Sequence, residues 1–236
     1  KTKLNTNKTA FVIKGDNFVC EISRTNGLIK HLIKNGKTIL TGGPYLMVLP
    51  LTGGGCYPNH NANTPIFNDC CKNWKAEEVT AETVKEGVLI HVKGQYQDFR
   101  GSYKMLINAN GKICINYDFT AKTDINPRQW GMVFASTNDF DETFWNRSGL
   151  WSVYPSDHIS RPSGKALCYY PEVPQNQDPR TEPTWSWSKD YYQMGSNDFR
   201  ATRRNIWFAG LTNSIDKTEI LVVSDGQQHW RTWKDK

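Results

Sequence analysis

Short runs of alternating apolar and polar residues follow one another along most of the chain, and almost nowhere do apolar residues return at the spacing of a helix. Residues 10–13, 17–23 and 28–33 are β-rich runs, and Asn35-Gly36, set between Ile33 and Ile39, is a two-residue hairpin turn. The opening therefore reads as a meander. Strands are expected next at 84–96, 103–109 and 112–121, with Asn110-Gly111 as the tight turn that joins the last two. In that last run Ile113, Ile115, Tyr117 and Phe119 share one face, so one side packs on a core and the other meets solvent or polar groups. Further strands are expected at 129–137, 205–212 and 219–224.

Residues 138–204 break this rhythm. They are rich in Pro, Asn, Asp and Trp and poor in periodicity, and their aromatic content argues against disorder. The reading is of short strands and ordered excursions laid across one face of a sandwich, where ligand contacts gather. No internal repeat, low-complexity tract or linker divides the chain. Its 236 residues fit one large all-β domain or two small ones, and one is expected because sandwiches and barrels reach this size without splitting. A second long loop is expected at 52–65. It lacks the spacing of a phosphate-binding loop, and no helix follows it.

Composition narrows the function classes. The net charge of +6 is spread, apart from the short run Arg200, Arg203 and Arg204, whereas a nucleic-acid binder concentrates its charge in a stripe. No apolar stretch approaches the roughly 18 residues of a membrane span, and the first residues have no apolar core of a signal peptide. The beginning reads like a piece of a longer protein. The six cysteines show no C-x-x-C spacing, so neither a zinc site nor any other metal or cofactor is implied. Cys114, beside apolar residues, is expected to be a buried thiol. A bridge from Cys56 to Cys70 or Cys71 is one option for an oxidising compartment, and free thiols are the other.

Nine Trp and ten Tyr are a stronger clue. An indole face suits the C–H side of a sugar ring, although large sandwiches also bury many aromatics in their cores. Two blocks mix aromatic residues with Arg, Asp, Asn and His beside Gly and Pro: W-S-V-Y-P-S-D-H-I-S-R-P at 151–162 and G-S-N-D-F-R-A-T-R-R-N at 195–205. That mixture suits a surface that stacks on and hydrogen-bonds a hydroxyl-rich ligand. Trp185 and Trp187 lie on one side if their segment is extended, and either contact a sugar or plug a seam. Asp157, His158 and Arg161 form a charge-assisted cluster that either meets ligand or pins its loop. Asn197, Asp198 and Arg200 have the same two readings, ligand contact or tight turn.

These blocks, together with Pro127-Arg128-Gln129-Trp130-Gly131-Met132 and the run from Phe144 to Trp151, resemble the C-terminal domain of family two glycoside hydrolases of the β-galactosidase type. The beginning, F-V-C-E-I-S-R-T-N-G-L-I at 18–29 followed by Asn35-Gly36-Lys37 and Gly43-Pro44, is similar to that family's entry strands, so the likeness extends over most of the chain. Where the better-known members carry G-P-W-E-N-Y, this chain has Gly149-Leu150-Trp151-Ser152-Val153-Tyr154, a form that looks like a branch found in multidomain glycosidases of gut bacteria.

The resemblance implies a large antiparallel β-supersandwich of the galactose mutarotase type. It implies a carbohydrate partner, a galactoside or related glycan, and a catalytic β/α barrel on the same polypeptide, with a periplasmic or extracellular bacterial setting. The candidate carbohydrate-binding residues are Trp185 and Trp187, which resemble the place where the family lends an aromatic residue to the sugar subsite, and, from their own chemistry, Asn197, Asp198, Arg200, Asp157, His158 and Arg161. The family's catalytic carboxylates lie on the barrel, so no catalytic residue is expected here. An independent carbohydrate-binding module and a mutarotase-like epimerase are the alternatives. The latter needs a His and a Glu acting together as acid and base, and no motif pairs them among His31, His60, His91, His158 and His229.

Overall fold

A computed structural model describes residues 1–50, 69–149, 161–167 and 202–233. The protein is all-β. Apart from one short 3-10 turn, the regular elements among the described residues are antiparallel strands. They cluster into two compact units, the first from residues 1–50 and 69–137 and the second from 138–149, 161–167 and 202–233.

The first unit opens as the expected meander. Strands β1 (Lys3–Thr6), β2 (Ala10–Gly15), β3 (Phe18–Ser23), β4 (Ile29–Lys34) and β5 (Lys37–Pro50) lie in chain order, and β10 (Pro127–Ser136) joins beside β5 as the sixth strand. Asn35 and Gly36 both have positive φ, as a tight hairpin between β4 and β5 requires. Alternation along the strands becomes a buried row across the sheet. Register places Ile13 opposite Cys20, Cys20 opposite Leu32 and Leu32 opposite Leu40, and all four are buried.

A second sheet holds β6 (Lys75–Val84), β7 (Gly87–Gln95), β8 (Phe99–Ile107) and β9 (Ile113–Ala121) in that order. Its inner rows repeat the logic, with Val92 beside Tyr103 and Tyr103 beside Tyr117, and Ile90 beside Met105 and Met105 beside Ile115. The two inner faces meet. Leu46 and Val48 from β5 share a core cluster with Cys70, Cys71, Tyr96 and Phe99, and Trp74, Phe119 and Met132 pack against it. Three polar contacts, the first two buried, clamp the layers: Tyr103 Oη donates to Gly27 O at 2.9 Å, Leu46 N to Tyr96 Oη at 3.0 Å and Trp74 Nε1 to Asn26 O at 2.8 Å. Gly27 has φ +75°, and a side chain there would drive into Val92 and Tyr103, so only glycine allows this approach.

Two expectations need correcting here. Cys114 is exposed, because Ile113, Ile115, Tyr117 and Phe119 take the inner face and period-two alternation turns Cys114 outward with Asn116 and Asp118. The run expected at 84–96 is a hairpin arm that begins at Gly87, with Val84 ending a separate strand, β6. That strand's outward polar residues, K-A-E-E-V-T-A-E-T-V, hid it from pattern reading, as happens on a sheet edge. Cys70 and Cys71 are buried, while Cys56 lies outside the described residues.

In the second unit β11 (Glu142–Arg147), β12 (Ser163–Leu167), β14 (Ile206–Thr212) and β15 (Glu219–Val223) form a sheet in the order β12-β11-β14-β15. A two-stranded ribbon of β13 (Thr202–Arg203) and β16 (Trp230–Arg231) accompanies it. The irregular stretch 138–204 thus does contain short strands. One sheet face buries Trp145, Ala166 and Ala209, joined by Ile206, with Leu211 and Trp230 packed against them. No described helix is long and apolar enough to cross a membrane.

Candidate functional site

Of the residues expected to contact ligand, Arg161 alone lies among the described residues. Asp157, His158, Trp185, Trp187, Asn197, Asp198 and Arg200 lie outside them. What the second unit does describe is the set of strand ends from which the segments bearing those residues, 150–160 and 168–201, leave and return.

Three of those four ends gather near Trp145, while Leu167, where segment 168–201 leaves, pairs with Glu142 at the other end of β11. Alternation in F-W-N-R turns Trp145 inward on β11, where it is 2% exposed. Its Nε1 donates to Arg161 O at 2.9 Å, and Arg147 N donates to Pro162 O at 2.9 Å, so both sides of segment 150–160 are tied together at their base. Segment 168–201 returns to the same place. Arg203, two residues beyond it on β13 and 2% exposed, lays its guanidinium over the Trp145 ring with its carbon 3.9 Å from the centroid. Stacking a desolvated guanidinium on an indole contributes about 2 kcal/mol. Ser148 N donates to Asn205 O at 2.7 Å, which joins the two stems directly. Asn205 itself has φ +55° and accepts this role because Asn tolerates the left-handed region, while its amide donates to Gly226 O at 3.0 Å.

Support comes from the other strands. Trp230, paired with Arg203 in register, sends Nε1 to Thr143 Oγ1 at 3.3 Å, and that hydroxyl donates to Gly210 O at 2.9 Å. The Arg161 guanidinium lies over Gly164, where any side chain would collide with it. Arg147, Arg161 and Arg203 therefore stand within one neighbourhood, and Arg231 enters it through its pairing with Thr202. All four are engaged in contacts. A planar fork with up to five donors can hold several carbonyl or carboxylate oxygens in fixed directions, which is what positioning long polar segments requires.

Sequence reasoning missed Trp145 and Arg203 as organisers. Trp145 was legible as an inward residue of an alternating strand. Arg203, by contrast, stood in an apparent surface run of three arginines, and only the pairing of β13 with β16 buries it. Arg161 sits at the base of segment 150–160, where its own carbonyl takes the Trp145 hydrogen bond, so its described role is to fasten the stem.

The first unit offers two features of chemical interest. His31 Nε2 lies 3.5 Å from Glu21 Oε2, and Lys30 bonds the other oxygen of the same carboxylate. The pair sits on a sheet face as cross-strand neighbours in register, so it reads as a surface side-chain contact rather than an acid–base couple around a sugar ring. Trp130 is the second feature. It lies on β10, 63% exposed, with the Tyr117 ring edge-on at 5.8 Å. Among the described residues no group of three or more His, Cys, Asp or Glu side chains is placed to hold a metal ion.

No protein-family model matches this chain, and no curated protein matches it.

Proposed function

We propose that this chain is a non-catalytic C-terminal β-supersandwich domain of a family two glycoside hydrolase of the β-galactosidase type, which packs beside a catalytic barrel of the same polypeptide and shapes its carbohydrate pocket. The observation that carries the reading is the joining of both stems of segment 150–160 with the returning stem of segment 168–201 around Trp145 and Arg203. Those two segments hold Asp157, His158, Trp185, Trp187, Asn197, Asp198 and Arg200, and a shared, rigid base is what presenting them together to one ligand calls for. A periplasmic or extracellular bacterial setting goes with the proposal. The chain alone should not turn over a panel of aryl glycosides, and appreciable hydrolysis by the isolated chain would remove the accessory-domain reading.

The subsite itself is tested in the barrel-containing enzyme. Replacing Trp185 or Trp187 with Ala should lower kcat/KM by about ten- to a hundredfold, taking about 1–3 kcal/mol per stacked ring by analogy with base–aromatic stacking. Melting temperature should stay close to that of the parent. A large loss of stability with normal kinetics would instead identify both as seam-filling residues.

A second reading, an independent carbohydrate-binding module, draws on the exposed Trp130 and its Tyr117 neighbour, an aromatic surface open to a sugar ring. Isothermal titration of the chain with galactosides and plant or algal glycans separates the two. Binding tighter than about millimolar, roughly 4 kcal/mol, supports the module.

A further inference from the structure

Strand β15 is the outer strand of the second unit's four-stranded sheet. Its ladder with β14 runs from Phe208 opposite Val223 to Thr212 opposite Glu219. Just beyond the ends, Ser224 N donates to Trp207 O at 3.0 Å and Asn213 N to Thr218 O at 2.9 Å. These two bonds set the parity of an antiparallel ladder: even-numbered residues turn their N–H and C=O toward β14, and Glu219, Leu221 and Val223 turn theirs outward.

Two other edges among the described residues are guarded against strand addition. β6 carries Glu77, Glu78 and Glu82, and β1 is only four residues long. In β15 the sequence E-I-L-V-V has one carboxylate at its start and no Lys, Pro or Gly, while Leu221 and Val223 are 56% and 70% exposed. Such an edge is a template for another strand.

The sequence around it selects a second copy of itself. A two-fold axis through Leu221 sets Leu221 against Leu221 and Glu219 against Val223 in antiparallel register, with the outward N–H and C=O groups of all three residues facing partners. The same register sets Lys217, in the turn just before the strand, toward the side of Asp225, in the bend just after it, of the other copy, twice. Moving the axis by one residue loses this match. About Val222, Glu219 would face Asp225, and about Ile220, Lys217 would face Val223. We propose that this chain forms a symmetric homodimer in which two copies of β15 pair about Leu221, with Lys217–Asp225 ion pairs fixing the register.

Light scattering coupled to size exclusion, with sedimentation velocity for the dissociation constant, tests this on the intact chain. The expected mass is twice the 27.0 kDa of one chain. Leu221→Pro deletes an outward N–H and none of the bonds to β14, so it should leave a folded monomer. Lys217→Glu sets like charges opposite each other at two places and should raise the dissociation constant roughly tenfold. Adding Asp225→Lys to Lys217→Glu should restore it, a rescue that no loss of folding can imitate. A chain that stays monomeric up to roughly 100 μM would overturn the proposal, as would a dimer whose strength ignores both the single charge reversal and its rescue.

Discussion

Replacing Trp145 with Ala is expected to destabilise the second unit by about 3–5 kcal/mol, the range for deleting a large buried aromatic. Three separate losses act together. The cavity left in the cluster with Ala166, Ile206 and Ala209 forfeits packing. Arg203 loses the ring beneath its guanidinium and remains buried. Arg161 O loses its indole donor. For a unit of roughly 100 residues each kcal/mol moves the midpoint by about 4–8 °C, so the transition reported by this unit should fall by about 12–40 °C. Trp145→Phe keeps a ring under Arg203 but cannot donate to Arg161 O, which retains Arg147 Nε at 3.4 Å, and should cost about 0.5–1.5 kcal/mol for the lost hydrogen bond. Urea unfolding of both variants checks the ordering. An alanine variant within about 1 kcal/mol of the parent would mean that Trp145 does not hold the stems together.

The first unit should lose its stability steeply in alkali. Burial pushes the Cys20 thiol and the Tyr96 phenol each up to about 12, and raises Tyr103 further still. Leu46 N donating to Tyr96 Oη favours the phenolate but does not outweigh burial. Each group is neutral when protonated and has a folded pKa above its unfolded one. Its contribution is therefore complete below the unfolded value and drains away as pH rises toward the folded value. An unfolded chain ionises its Tyr near pH 10, so between pH 10 and 12 each of the three groups removes about 1.4 kcal/mol per pH unit. Together they remove about 4 kcal/mol per pH unit, enough to spend an ordinary domain stability of about 5–15 kcal/mol within that window. Tyrosinate absorbance and near-ultraviolet circular dichroism should change in one step as pH is raised. Tyr96 and Tyr103 ionising while the near-ultraviolet signal persists would contradict the burial argument. Tyr103→Phe should flatten the pH dependence by about a third, while losing the Gly27 hydrogen bond at a cost of about 1 kcal/mol.

The chemistry expected of the chain and the machinery that supports it differ in how far sequence reveals them. Residue types such as Trp, Arg, Asp and His beside Gly and Pro mark 151–162 and 195–205 as candidate ligand surfaces because few other surfaces call for that mixture. Nothing local, however, says which strand ends carry those segments. Trp145 and Arg203 are 58 residues apart in sequence, and no pattern short of the fold itself predicts that a guanidinium from one lies on the ring of the other.

What the sequence by itself determined is the all-β character, the hairpins at Asn35-Gly36 and Asn110-Gly111, and the inward faces of strands such as β3, β8 and β9. These follow from interactions between residues a few positions apart: period-two alternation, and turn residues that accept positive φ. Tertiary structure alone decided that β10 returns to β5 across 76 intervening residues, that β6 is a polar edge, that Arg203 is buried rather than part of a basic surface, and that β15 is left as an outer strand. Each of these depends on which distant strand lies alongside, and pairing between distant strands is settled by the burial of whole faces rather than by any local signal.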